Sequence, residues 1–460
     1  MYYNHSITPH AQVTRGSSLP LAEMPTHPIT ILAAGADAAL GDAVSWWPIV
    51  PFAALLACIV ALPGLAPRLW HNNRFKLAVS VFWAVWALPV VGFAGFGHAM
   101  TDYVAFMSMV GSLFVVAGHV HIEGHWAGRP SLNAMILLAG AILANFLGTT
   151  GASMLLIRLI LTTNEWRRHR WHVPVFFIFM VSNTGGLLTP LGDPPLFIGF
   201  LEGVPFFWTM RLWPAWLLVN GSILAIFFVV DLLQFRREAR PASFGSRAVT
   251  IQGGRNLVFL AGIVGAVLVK GWLGDGLAAL AISSGLMALM GFLALATSPA
   301  VLRFETGFTW EPVMEVGALF LGLFITMIPA MHLLEHHAEV LPISKPWHYF
   351  WITGSLSSML DNAPTFAVMA VLARSQVVPG SIGLGPLSDD PSGGALLAAI
   401  CCGSVFMGAN TYIGNGPNFM VRSIAEARGY DMPGFITYTA IALMTLGPVF
   451  LLATMILFAG

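Results

Sequence analysis

The chain has 460 residues, of which 57% are hydrophobic and 9% charged, and 21 Lys and Arg balance 21 Asp and Glu. A soluble domain carries about a quarter charged residues. This composition therefore excludes a soluble enzyme or a nucleic-acid-binding module and describes a polytopic membrane protein whose surroundings are the lipid bilayer.

Residues 1–43 read as an N-terminal extension with scattered Pro, His and Thr, and "ITILAAGADAALG" is the nearest thing in it to a signal peptide. Crossing a bilayer takes about 20 apolar residues. Such runs fall at 45–65, 77–97, 103–121, 173–206, 207–234, 255–274, 276–296, 313–332, 395–427 and 433–459. Two longer stretches, 131–162 and 347–374, carry a polar break in the middle, "NFLGTTGAS" in one and "SSMLDNAPT" in the other. Cys58, Cys401 and Cys402 all lie in apolar runs and imply no disulfide framework.

Lys and Arg collect on the cytoplasmic side of a membrane. The basic loops "PRLWHNNRFK" (67–76), "NEWRRHR" (164–170) and "FRREAR" (235–240) are then all inside. Both of the first two can be inside only if 131–162 enters and returns, as a re-entrant hairpin open to the cytoplasm. The same counting makes 347–374 a hairpin open to the outside. Ten spans result, with both termini outside, and only Arg15, Arg211, Lys270, Lys345 and Arg374 on the outer side.

Each half then runs three spans, hairpin, broken span, span, and the halves face opposite ways. The first repeat covers 44–240, with spans 45–121, hairpin 131–162, broken span 173–206 and span 207–234. The second covers 241–460, with spans 255–332, hairpin 347–374, broken span 395–427 and span 433–459. "SNTGGLLTPLGDPPLF" from Ser182 lies over "ANTYIGNGPNF" from Ala409, with Asn183-Thr184 set against Asn410-Thr411 and Gly192 against Gly414. Inverted repeats with helices broken at mid-membrane are the architecture of secondary transporters, and no ATPase motif suggests another energy source. Breaks are tolerated at that depth where protein or a water-filled cavity satisfies the backbone. Freed carbonyls with Ser, Thr and Asn oxygens suit a hard cation such as Na⁺; freed N–H groups suit an anion.

At these residues the chain resembles the ion transporter superfamily, which includes divalent-anion/Na⁺ symporters, NhaD-type sodium/proton antiporters and citrate transporters. Ser182-Asn183-Thr184 keeps that superfamily's first Ser-Asn-Thr motif, and Ala409-Asn410-Thr411 lacks one hydroxyl of the second. "LDNAPT" (360–365) and "GNGPN" (414–418) are closer to the antiporter and citrate-transporter branch. The resemblance implies a homodimer and an elevator motion, in which a scaffold (45–121 and 255–332) holds the dimer while a transport domain (131–234 and 347–459) slides.

Asp193 and Asp361 are the candidate proton carriers. An ionisable group inside a membrane costs at least about 2.5–3.5 kcal/mol on insertion scales and is a functional hypothesis by default; each also reads as the N-cap of a half-helix. Asn145, Ser182, Asn183, Ser358 and Asn410 are candidate Na⁺ ligands. Asn362 and Thr411 extend that set, and Thr149, Thr150, Thr184, Thr365, Asn415 and Asn418 are further members of the ion- or substrate-binding set. Glu315 reads as a solvated residue near the cytoplasmic end of its span, "HLLEHHAE" (332–339) as an outside loop without zinc spacing, and Trp46, Trp47 and Trp208 as interfacial anchors. An aspartyl intramembrane protease would need a GxGD motif, and Leu191-Gly192-Asp193 lacks its first glycine.

The sequence therefore predicts an all-α polytopic protein of the bacterial inner membrane. It would be a non-enzymatic secondary transporter without a cofactor, exchanging Na⁺ for H⁺. Na⁺- or H⁺-coupled transport of citrate or a similar di- or tricarboxylate is the alternative.

Overall fold

A computed structural model describes residues 47–125, 127–238, 247–274, 276–299, 308–337 and 343–459; the expected N-terminal extension lies outside them. Nine helices among the described residues are long and apolar enough to cross a membrane.

A short 3₁₀ turn at Trp47–Ile49 leads into α1 (Val50–Leu65), and α2 (Pro67–Trp70) joins it to α3 (Asn73–Gly118). A straight helix of 46 residues would be about 69 Å long. Instead α3 bends at Gly92, whose φ of +66° is glycine territory. Asn73 at its start donates to the Glu311 carbonyl at 3.2 Å, while Gly118 at its end packs against Phe308. Both ends of α3 thus meet the region where α10 (Glu311–His337) begins, and the chain crosses twice. The turn lies at Gly92, not in the 98–102 loop the hydropathy pattern implied.

α10 runs between the two limbs of α3. The Phe106 and Phe320 rings stack at 4.6 Å, and Gly322 packs against Ser80 and Leu55. Lipid offers no hydrophobic drive for helices to associate, so such close approach at small residues supplies the packing attraction. At its N-terminal end α10 places Glu315 2.6 Å from Lys76, with the carboxylate side chain 46% exposed. At its far end the helix continues to His337, so His332 and its neighbours extend a helix where a loop was expected.

α4 (Pro130–Thr163) also folds back, at Gly148 (φ +74°). Gly140 lies against Leu156, and Asn133 and Asn164 near the two ends exchange side-chain hydrogen bonds of 3.0 and 2.8 Å. A continuous rod would hold those two residues about 46 Å apart. The mouth of this hairpin is fastened by buried charge. Arg167 meets Asp231 at 2.6 Å, both fully buried; His172 Nε2 lies 2.8 Å from Asp231; and Asn133 donates to Asp231 at 2.9 Å. The second hairpin is made by α11 (Pro346–Ser357) and α12 (Asn362–Val377). It closes at its mouth through Tyr349, whose hydroxyl donates to Gln376 at 2.6 Å.

Two helices are interrupted. α5 (His172–Met180) gives way to a 3₁₀ turn at Thr184–Leu187 and resumes as α6 (Pro194–Leu201). After α13 (Gly385–Asp389), α14 (Pro391–Met407) stops at Gly408 and resumes as α15 (Gly416–Ala427). Proline at the first or second helical position sets each restart, Pro194 and Pro195 in α6 and Pro417 in α15. α7 (Trp213–Phe235) and α16 (Phe435–Ala453, extended by a π turn) follow the two interruptions. α8 (Asn256–Leu273) and α9 (Leu277–Thr297) complete the α-helices among the described residues.

The loops at 164–170 and 428–430 lie at the same end. Arg170 donates to the Gly429 carbonyl at 3.0 Å, and Tyr430 to that of Leu161 at 2.7 Å. One element departs from the all-helical expectation: β1 (His121–His125) pairs antiparallel with β2 (Arg247–Gln252) as a two-stranded ribbon. Trp208, expected at the lipid interface, is buried, and its indole donates to the Ser388 carbonyl at 3.1 Å.

Candidate functional site

The two hairpin tips and the two interruptions meet. Asp193 begins α6 in extended conformation, an N-cap by position, yet its carboxylate caps nothing in its own helix. It points across the junction. Oδ1 accepts the Thr149 hydroxyl at 2.8 Å and the Asn415 amide at 3.4 Å, and Oδ2 accepts the Asn362 amide. The first hairpin, the second hairpin and the second interruption thus each send one donor to the carboxylate of the first. Asp193 is 1% exposed. Burying a carboxylate without such donors costs several kcal/mol.

Around it the polar groups form a connected set. Asn415 also donates to the Ser182 carbonyl at 3.0 Å and to Asn183 at 3.2 Å. Asn183 donates to Asn418 at 2.8 Å, and Asn418 donates in turn to the carbonyls of Gly408 and Thr411. Ser182 pairs with Ser153 at 2.8 Å. Thr184 donates to Asn220 of α7 at 2.7 Å.

The same bonding recurs at each interruption. In the first, Gly186 and Gly192 are in backbone contact, and a Cβ on Gly186 would stand 2.8 Å from the Gly192 carbonyl oxygen. In the second, a Cβ on Gly414 would stand 2.6 Å from that of Gly408. Halfway between the glycines sits a threonine. Thr189 donates to the Asn145 carbonyl of the first hairpin, and Thr411 to the Ser358 carbonyl of the second at 2.6 Å. Each threonine hydroxyl also accepts an N–H from its own loop, Leu191 and Ile413, both at 3.2 Å. The amide oxygen of Asn145 accepts the Leu188 N–H at 2.7 Å, while Asn410 donates to the Ser358 hydroxyl at 2.9 Å.

By this pattern Thr411 corresponds to Thr189 and Asn415 to Asp193. Asn183-Thr184 and Asn410-Thr411, set against each other in the sequence, do not occupy matching places. The signal was present as "TPLGD" and "TYIGN", five residues each with threonine three before the shared glycine. Thr189, Ser153 and Asn220 are the contributors that motif reading passed over.

The remaining candidates fall into place around this junction. Thr365 donates to the Asp361 carbonyl at 3.1 Å in the first turn of α12, and Thr150 is half-buried outside the bonded set. Asp361 is the half-buried N-cap of α12, with its carboxylate beside the backbone N–H groups of Asn362 and Ala363. The amide oxygens of Asn362 and Asn410 are buried and accept no hydrogen bond from the described residues. Acceptors in that condition suit a cation or a proton donor.

Three helices, α6, α12 and α15, start at this junction, and their N-termini favour negative charge. The arrangement thus offers unpaired oxygens for a cation, a buried carboxylate, and helix ends for an anion. A family model described as "Putative citrate transport" matches residues 41–458. No curated protein matches the chain.

Proposed function

The chain belongs to the citrate-transport branch of the ion transporter superfamily, and from that premise we propose that it is a cation-coupled secondary transporter of citrate or a similar di- or tricarboxylate. The observation that carries the reading is Asp193, buried at the junction of both hairpin tips and both interruptions. A buried carboxylate repels an anionic cargo at close range, by about 4 kcal/mol at 4 Å with an effective dielectric of 20. Cargo and Asp193 are compatible once a proton or Na⁺ has neutralised the site. Coupling then follows from electrostatics: the anion binds well only after the cation.

In this reading Asn145, Ser182, Asn183, Ser358 and Asn410 are the Na⁺ ligand candidates, the unpaired oxygens of Asn362 and Asn410 supporting the cation side. Asp193 and Asp361 carry protons. The starts of α6, α12 and α15 face the anion. The two halves act as inverted copies; the recurring glycine crossing and threonine bond support that relation. Spans 45–121 and 255–332 form the scaffold of a homodimer in the bacterial plasma membrane, and 131–234 with 347–459 slide past it.

Na⁺/H⁺ exchange is the second reading. One observation favours it: none of the described residues bonded around Asp193 is a Lys or Arg that could hold a carboxylate cargo. Proteoliposomes distinguish the two. Labelled citrate uptake driven by an imposed Na⁺ or pH gradient is the expected result. A Na⁺-driven change of internal pH without any organic anion, with no citrate uptake, replaces it by exchange.

A further inference from the structure

Away from the junction, toward the opposite end of the membrane from the basic loops, lies a second group of chemistry-bearing side chains. His98 and Asp102 sit four residues apart on α3, hence on one face of the helix, with Nε2 and Oδ2 3.4 Å apart. Glu202 comes from a different element, the C-cap of α6. Its backbone is fixed from two sides: the N–H donates to the Ile198 carbonyl at 3.0 Å, and the carbonyl accepts the Leu384 N–H at 2.6 Å. One ligand atom from each of the three lies within 4.8 Å of the other two. All three line a cavity of about 70 Å³ whose other walls include Phe324, Met327 and Arg374.

We propose that His98, Asp102 and Glu202 bind a divalent cation of borderline character such as Zn²⁺, bridging α3 and the end of α6. Two ligands at i and i+4 on a helix with a third from elsewhere is a spacing that metal sites use. Ligand atoms around Zn²⁺ with bonds of about 2.1 Å stand roughly 3.4 Å apart in a tetrahedron. The 4.8 Å limit therefore leaves a contraction of up to about 1.4 Å, within the reach of rotamer adjustment in side chains that are 23% (His98) and 16% (Asp102) exposed. The cavity has room for an ion and at least one water, which would complete four-coordination.

The mixed imidazole and carboxylate donors select Zn²⁺ over Mg²⁺ and Ca²⁺, which prefer all-oxygen sites. With the imidazole neutral, two carboxylates stand near the guanidinium of Arg374, and the Lys270 amine of α8, which donates to the Phe200 carbonyl at 3.1 Å, also acts electrostatically on Asp102. His332 of α10 also lines the cavity.

The test is Zn²⁺ binding by the full-length, tag-free protein in nanodiscs, with bound metal counted after desalting and affinity measured by competition with a chelating dye. The wild type should retain one more equivalent than His98→Ala or Glu202→Gln. Each variant should weaken that site by at least about tenfold, and neither Mg²⁺ nor Ca²⁺ should compete. Zn²⁺ should also raise the melting temperature of the wild type and not of the variants. Asp102→Asn serves as the second variant if either of the others is not monodisperse. Equal Zn²⁺ stoichiometry and affinity in wild type and variants, or displacement by Mg²⁺ or Ca²⁺, overturns the site. Binding is read without any transport assay, so failure here leaves the proposed transport function untouched, and the reverse holds too.

Discussion

Replacing Asp193 by Asn keeps its shape and removes its charge. The carboxylate accepts from Thr149 at 2.8 Å, from Asn415 at 3.4 Å and from Asn362. An asparagine retains one acceptor and turns the other into a donor. If the retained oxygen faces Thr149 and Asn415, the new amide nitrogen meets the Asn362 amide nitrogen, donor against donor. Asn362 has an exit: its own amide oxygen is unpaired, so a flip of the group restores the bond and leaves a nitrogen unpaired instead.

What is lost is therefore the difference between charge-assisted bonds, about 1.5–3 kcal/mol each, and neutral ones, about 0.5–1.5 kcal/mol. For the two shorter bonds that is about 2–3 kcal/mol, offset by relief of the cost of burying the charge, so the protein should remain assembled. Transport then reports on chemistry, not on collapse. Asp193→Asn in proteoliposomes should lose gradient-driven accumulation while the thermal midpoint of the purified protein stays close to that of the wild type. Wild-type gradient-driven uptake in this variant would refute the reasoning, because it would make the buried charge dispensable.

Gly148→Ala at the first hairpin tip should cost about 1–3 kcal/mol, since φ +74° with ψ 157° is a conformation side chains avoid and the new Cβ would meet the Leu191 carbonyl at 3.3 Å; thermal unfolding in detergent measures it. Arg167→Met takes the guanidinium from the buried Asp231, which keeps its contacts with His172 and Asn133, and should destabilise by about 3–5 kcal/mol in the same assay. Asp390 accepts the Ser392 hydroxyl at 2.6 Å and the Gly393 N–H at 2.7 Å, and these bonds hold its carboxyl below the ordinary value of 3.8. A depressed pKa gives stabilisation that is present above 3.8 and lost as pH falls through the lowered value. The melting difference between wild type and Asp390→Ala should therefore be constant at neutral pH and shrink on acidification below that point.

Much of this was legible in the sequence because membrane physics leaves few options. Polar breaks inside apolar stretches had to be folded back or buried, and Gly148, the 358–361 break, and the interruptions before Pro194 and Gly416 all fall inside the polar stretches that marked them. What pattern reading could not give was three-dimensional register. Asn183-Thr184 and Asn410-Thr411 look alike as letters, but the crossing of Gly186 with Gly192 and of Gly408 with Gly414 makes Thr189 the partner of Thr411. The turn at Gly92 was missed because hydropathy continues smoothly through it; a φ of +66° is a backbone property that leaves no apolar gap. The ribbon of β1 and β2 was missed because its strands lie more than 120 residues apart and each is only five or six residues long.

Three stretches of chain that are distant in sequence tie themselves to the carboxylate of a residue in a fourth, Asp193. Thr149 at one hairpin tip cannot part from Asn362 at the other without one of them releasing its grip there. Whatever displacement this protein undergoes, both tips travel as passengers of the same knot. If Asp193 takes up a proton, as proposed above, all three bonds lose their charge assistance together, so a single ionisation event is felt by all four segments without any relay of side chains between them.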